Sequence, residues 1–139
     1  MLLKRNLDYI LNEELHNYLE NKFITAKKNG INIEIELTEP IDNLYFNFKD
    51  ISKILNIAFN DAFKMVADTQ CMQLAFCMFY KANELHFIIK YKSNKNVTMS
   101  EINNRLIKKL WKYRNIFCNA INEDSFVTQQ LILINENNT

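Results

Sequence analysis

Apolar positions along the chain switch between a helical and a strand period, and the switches mark its elements. Leu7, Leu11, Leu15, Tyr18, Leu19 and Ala26 recur at near-helical spacing and predict a first helix over Asn6 to Asn29. The KKNG that closes it places Gly30 as the C′ residue. INIEIEL then alternates, with Ile31, Ile33, Ile35 and Leu37 on one face, as a strand with one wet side does. TEP ends that strand, and Ile41 to Phe46 is short and irregular, either a second strand or a crossover. Asp50 to Val66, DISKILNIAFNDAFKMV, carries the longest helical pattern, with Ile51, Ile54, Leu55, Ala58, Ala62 and Met65 forming the stripe of a helix packed on a sheet. Asn47 is its expected cap, with Asp50 in a capping-box-like position.

Gln70 to Tyr80 and Leu85 to Tyr91 are apolar, aromatic-rich runs separated by KANE, and they predict a hairpin of central strands. After a polar link over Lys92 to Met99, Thr98 and Glu101 have the spacing of a capping box. The helix they open is expected to reach about Asn115, with a core stripe of Ile102, Leu106, Leu110, Tyr113 and Phe117. Ile116 to Ile121 and Phe126 to Ile134, joined by NEDS, make a closing hairpin. The order helix, strand, helix, hairpin, helix, hairpin predicts an α+β fold. It is a two-layer α/β sandwich, with a mixed, mostly antiparallel sheet and three helices on one face.

A chain of 139 residues, 48% of them apolar, is long enough to bury one core, so residues 1–139 are expected to form a single domain. The formal charge of +1 gives no global reason for a nucleic-acid or membrane partner. MLLKRNLDY has no apolar core of a signal peptide, and LAFCMFY is far short of a bilayer span. Cys71, Cys77 and Cys118 are odd in number and lack metal-ligand spacing, which suits a reducing compartment; a cytoplasmic protein is expected. The one glycine and one proline bear most on chemistry: loops that need φ > 0 are expected to be nearly excluded, and no glycine-rich phosphate cradle can be drawn anywhere.

Candidate chemistry lies along one edge of the central helix, where Ile57, Asp61 and Lys64 stand beside the core stripe while Asn56 and Asn60 point further out. Asp61 and Lys64, three apart, are expected to form an ordinary surface ion pair worth a few tenths of a kcal/mol. Phe59 and Phe63, on the opposite flank, are expected to pack under the first helix. His16 and His86 read as surface or edge histidines, and no cysteine, histidine and carboxylate grouping suggests a nucleophile or a metal.

DISKILNIAFNDAF on the second helix resembles the N-box of the GHKL ATP-binding domain of sensor histidine kinases, most closely the accessory-gene-regulator type of quorum-sensing kinase. EELHNYLENKFITAKKNGINIEIEL is similar to the family's opening helix and first strand. YRNIFCNAINEDSFVTQQLILIN is similar to its closing hairpin, with the rhythm of Glu123, Phe126 and Gln129. The resemblance implies an ATP and magnesium site, but this chain departs from it. Asp61 stands for the asparagine that helps hold magnesium, and Lys64 for a following glutamate. Tyr91 stands for the side chain that recognises adenine, and is expected to fill the vacated base pocket. By this likeness the lid is expected to be missing, Ser100 and Ile102 to stand for the paired glycines, and the chain to begin too late to hold the phosphoacceptor histidine of the kinases.

The expectation is therefore a degenerate domain that is not an enzyme, binds no cofactor, and keeps Ile57, Asp61, Lys64 and Tyr91 as a vestigial nucleotide pocket. Its activity would pass through a protein partner, a sensor histidine kinase or a response regulator, with a homodimer as a further form. Alternatives are a diverged kinase that binds ATP and magnesium through Asp61, and a small-ligand sensor with an enclosed cavity around Ile57, Asp61 and Tyr91. The surface expected to carry a contact is on the third helix. There Arg105, Lys108, Lys109 and Lys112 form a basic ridge beside an outward-pointing Ile107 and Trp111.

Overall fold

The computed structural model describes residues 7–67, 72–92, 98–111, 113, 115–123 and 126–134. Helix α1 (Glu13–Lys28) is followed by strand β1 (Asn32–Glu36), helix α2 (Phe48–Val66), the hairpin of β2 (Gln73–Lys81) and β3 (Glu84–Lys92), helix α3 (Met99–Leu110), and the hairpin of β4 (Ile116–Glu123) and β5 (Phe126–Ile134). The strands form one five-stranded sheet in the order β1-β2-β3-β5-β4. Only β1 and β2 run parallel; the other pairs are antiparallel. This is the α+β sandwich that the order of periodicities predicts.

Each boundary has a local cause. Helix α1 starts at Glu13 rather than Asn6, because Asn12 caps it by accepting the Leu15 amide and the chain before it is tied to Ile41, whose carbonyl accepts the Leu11 amide. Its end is a Schellman turn: Gly30, at φ +83°, donates to Lys27 and Ile31 donates to Ala26. Ile41 makes an isolated bridge with Ile10, so Ile41 to Phe46 is a crossover and not a strand. Asn47 caps α2 through the Lys49 amide, and Thr98 and Glu101 form a complete capping box on α3. Helix α3 stops at Leu110, short of the predicted Asn115, since Asn115 turns left-handed and its carbonyl accepts the Ile134 amide at the start of β4. Phe117 consequently leaves the helical stripe for β4, where it is 59% exposed.

Tyr45, Ala82 and Asn115 all have positive φ, so scarcity of glycine does not exclude left-handed turns as expected. Ordinary residues occupy them at a cost of about 1–2 kcal/mol each.

Strand alternation sorts the sheet into two faces. Leu74, Phe76, Met78, Leu85, Phe87, Ile89, Val127, Leu131 and Leu133 are buried beneath the helices. The stripe of α2 lies over them, with Ile51, Leu55, Ala58 and Ala62 at most 1% exposed. Phe59 stacks on Phe63 and meets Phe23 edge-on at 5.6 Å, so this flank does pack under α1. His86 is neither a surface nor an edge residue. It is buried in central strand β3 on the helix-free face, stacked on Phe79 with ring centroids 4.7 Å apart. Gln130 Nε2 donates to its Nδ1 at 3.0 Å, which leaves Nε2 to donate to Glu84.

Candidate functional site

Asp61 is on the buried side of α2, 3% exposed, between the helix layer and the sheet. A carboxylate in that position requires donors. Arg105 of α3 supplies a two-pronged contact, from Nε to Oδ1 at 2.5 Å and from Nη2 to Oδ2 at 3.0 Å. Gln129 of β5 donates from Nε2 to Asp61 Oδ2 at 3.2 Å and to the Tyr91 hydroxyl at 2.8 Å. Tyr91 of β3 is 1% exposed. The register pairs Tyr91 with Val127 and Ile89 with Gln129, so Gln129 and Tyr91 are diagonal neighbours on the helix-facing side. One hydrogen-bonded cluster thus links α2, α3, β3 and β5.

The electrostatics follow from this packing. Hydrogen bonds to Asp61 hold the Arg105 guanidinium above its ordinary pKa. Burial, and then the nearby Asp61 charge, push the Tyr91 hydroxyl upward, so it stays protonated across the physiological range. Gln129 Oε1 has no partner among the described residues. Its amide is oriented by the two acceptors it faces, and the carbonyl is left over as a result.

The expected pair of Asp61 with Lys64 is not formed. Lys64 is exposed on the outer side of α2, while Asp61 turns inward to α3. A planar guanidinium satisfies both oxygens of a buried carboxylate at once, which a hydrated ammonium at the surface cannot do. Arg105 is correspondingly drawn out of the expected basic ridge. Lys108 and Lys109 remain exposed, and Lys112 lies outside the described residues. Ile107 and Trp111 are 52% and 78% exposed. They lie about 200° and 240° around the helix from Arg105, on faces turned away from the cluster. Ile57 is half-buried one turn before Asp61.

No cavity described around these residues matches the enclosed pocket of the small-ligand alternative. A groove of about 410 Å³ reaches Tyr91 along the ends of β1, β2 and β3, and one of about 530 Å³ lies between the start of α2 and the β4–β5 hairpin. Neither is lined by Ile57 or Asp61. Among the described residues no group of histidine, cysteine, aspartate and glutamate is placed to hold a metal. Cys77 and Cys118 are half-buried free thiols, both raised in pKa by burial, while Cys71 lies outside the described residues.

Solved structures share this architecture. The histidine kinase AdeS of Acinetobacter baumannii superposes on 88% of the chain with a TM-score of 0.60 at 11% identity. A nucleotide-free catalytic domain of the histidine kinase ThkA superposes on 97% of the chain and 93% of its own length, with a TM-score of 0.66 at 10% identity. The fold is that of a histidine-kinase catalytic domain. This chain spans 63% of the AdeS chain. No family model and no curated protein sequence matches it.

On the histidine-kinase fold, the positions that the sequence likeness assigns to magnesium and adenine are Asp61 and Tyr91, and here they belong to one buried polar cluster. Both Asp61 oxygens already accept charged or amide donors. Arg105 and Gln129 together supply three hydrogen bonds to this carboxylate. Sequence reasoning missed Gln129 as a member of the site. Its signal was a glutamine on the apolar side of an alternating strand, between Val127 and Leu131.

Proposed function

We propose that this protein is a non-catalytic histidine-kinase-like domain that acts by protein contact in two-component signalling. The observation that supports this reading is the Asp61–Arg105 pair. It places a guanidinium on the carboxylate that a nucleotide-bound magnesium would need, with Tyr91 packed into the position likened to the adenine contact. In this reading neither ATP nor magnesium is a cofactor. The partner is a sensor histidine kinase or its response regulator, met through the exposed Trp111, Ile107 and Lys108 of α3.

Calorimetric titration of ATP and ADP with magnesium, read beside thermal unfolding, tests the first half. Binding to the native state must raise the melting temperature, so no heat and no shift are expected even at millimolar nucleotide. A shift that Asp61→Ala removes would establish the domain as a nucleotide binder and refute the proposal. For the second half, immobilised protein should retain purified sensor kinase or response regulator. Trp111→Ala should weaken that retention while leaving the melting temperature within about 2 °C, as an exposed site allows.

A further inference from the structure

The two edges of the sheet are protected unequally. Strand β1 is five residues long and places Glu34 and Glu36 outward on the helix-free face, where a like strand would meet like charge. Strand β4 is eight residues long, IFCNAINE, with neither lysine nor proline and no charge before Glu123. Phe117 and Ile121, 59% and 46% exposed, stand with Asn119 on its helix-free face.

The ladder shows which backbone groups of this edge are unpaired. The Ile134 amide donates to the Asn115 carbonyl, so Asn115 and Ile134 are a hydrogen-bonded pair. Bonded pairs alternate along an antiparallel ladder. Phe117, Asn119 and Ile121 therefore bond inward to β5, and the amides and carbonyls of Ile116, Cys118, Ala120 and Asn122 point away from the sheet. Those outward groups have no hydrogen-bond partner among the described residues.

We propose that β4 is a dimerisation edge, pairing antiparallel with β4 of a second copy about a two-fold axis at Asn119. This register is self-complementary at every level. Cys118 meets Ala120 of the other copy and Ile116 meets its Asn122, so each outward-pointing residue faces another, forming about eight backbone hydrogen bonds. On the helix-free face Phe117 lies opposite Ile121 of the other copy, twice, as aromatic and β-branched cross-strand pairs. No charge before Glu123 opposes a like charge across the axis. The neutrality of β4 fits its own copy, whereas the glutamates of β1 would repel theirs. The two five-stranded sheets become one continuous sheet. The contact is small, so the dimer forms at roughly tens of micromolar and above. It does not rest on the reading of Trp111 or of the nucleotide site.

Sedimentation of the full chain over a concentration series tests this, using Asn119→Lys and Asn119→Asp. Asn119 is exposed and faces its own copy on the axis, so either substitution keeps the fold while placing like charges opposite each other. The expected result is a wild-type mass that doubles with concentration and a dissociation constant raised about tenfold or more in each variant alone. Mixing the two variants should restore the dimer through opposite charges. A wild-type protein that stays monomeric at millimolar concentration would leave this edge to some other strand and overturn the proposal. A dimer that persists in both single variants would place the interface elsewhere and overturn it equally.

Discussion

Arg105→Ala is expected to destabilise the domain far more than removal of a surface charge. Asp61 is 3% exposed and would keep only the Gln129 amide as donor, while the Arg105 side chain is itself 33% exposed. Stranding a fully buried carboxylate costs about 3–5 kcal/mol, and water reaching in along the vacated Arg105 channel reduces that to about 2–3 kcal/mol. Asp61→Ala should cost less, about 1–2 kcal/mol, because a partly exposed arginine can turn its head to solvent. Once Asp61 is gone, losing Arg105 adds little, so the double variant should resemble Asp61→Ala. The coupling energy from the cycle should then match the cost of Arg105→Ala, about 2–3 kcal/mol. Urea unfolding followed by far-ultraviolet circular dichroism measures all four proteins, and the corresponding melting shift for Arg105→Ala is about 6–9 °C. If Arg105→Ala costs under about 0.5 kcal/mol and the two substitutions add, the pair behaves as a surface contact and the argument from burial is wrong.

Two further outcomes follow from backbone and burial. Ala82→Gly should stabilise the β2–β3 turn by about 1 kcal/mol, since Ala82 holds φ 56°, while Gly30→Ala should cost about the same at φ +83°. A new Cβ at Gly30 would meet only the Met72 Cε at 3.8 Å, so its cost is conformational; thermal melts of both variants check the opposite signs. The hydroxyls of Tyr18, Tyr80 and Tyr91 are all raised in pKa by burial, which favours the protonated form in the folded state. Their contribution is complete below the unfolded value of about 10 and is lost as pH rises toward the folded values. Stability should fall from about pH 10 upward by as much as about 1.4 kcal/mol per unit for the buried Tyr91 and by less for the half-buried Tyr18 and Tyr80, which water screens, and phenolate absorbance should lag that of a denatured control. A flat stability curve through pH 11 would contradict the burial of these rings.

The fold was legible because its elements have strong and different periods. Strict alternation in INIEIEL and the wide stripe of α2 left little choice, and Asn47, Thr98 and Gly30 sit where capping chemistry requires them. The boundaries that moved did so for tertiary reasons. Leu7 and Leu11 have helical spacing, yet Tyr9 to Leu11 are tied to Ile41 about thirty residues away, a contact that no local pattern encodes. Phe117 fits the rhythm of α3 and also that of β4. The carbonyl of Asn115 accepting the Ile134 amide decides for the strand.

The site was less legible, and the reason is specific. Charge at the rim of an amphipathic helix looks the same whether it faces water or a partner element. Asp61 and Arg105 therefore read as two surface features, one on a helix edge and one on a basic ridge, when they are a single contact across forty-four residues. Arg105 differs from the lysines around it in having a rigid fork that suits a buried carboxylate. Gln129 differs from its strand neighbours in being polar on an apolar face. Taken together, a buried-side aspartate, an arginine among lysines and a glutamine in an apolar stripe form a set of mutually satisfying groups, and each is anomalous only in its own element. A polar residue on the core side of a predicted element must have a partner somewhere, so such anomalies across different elements are better read jointly than one at a time.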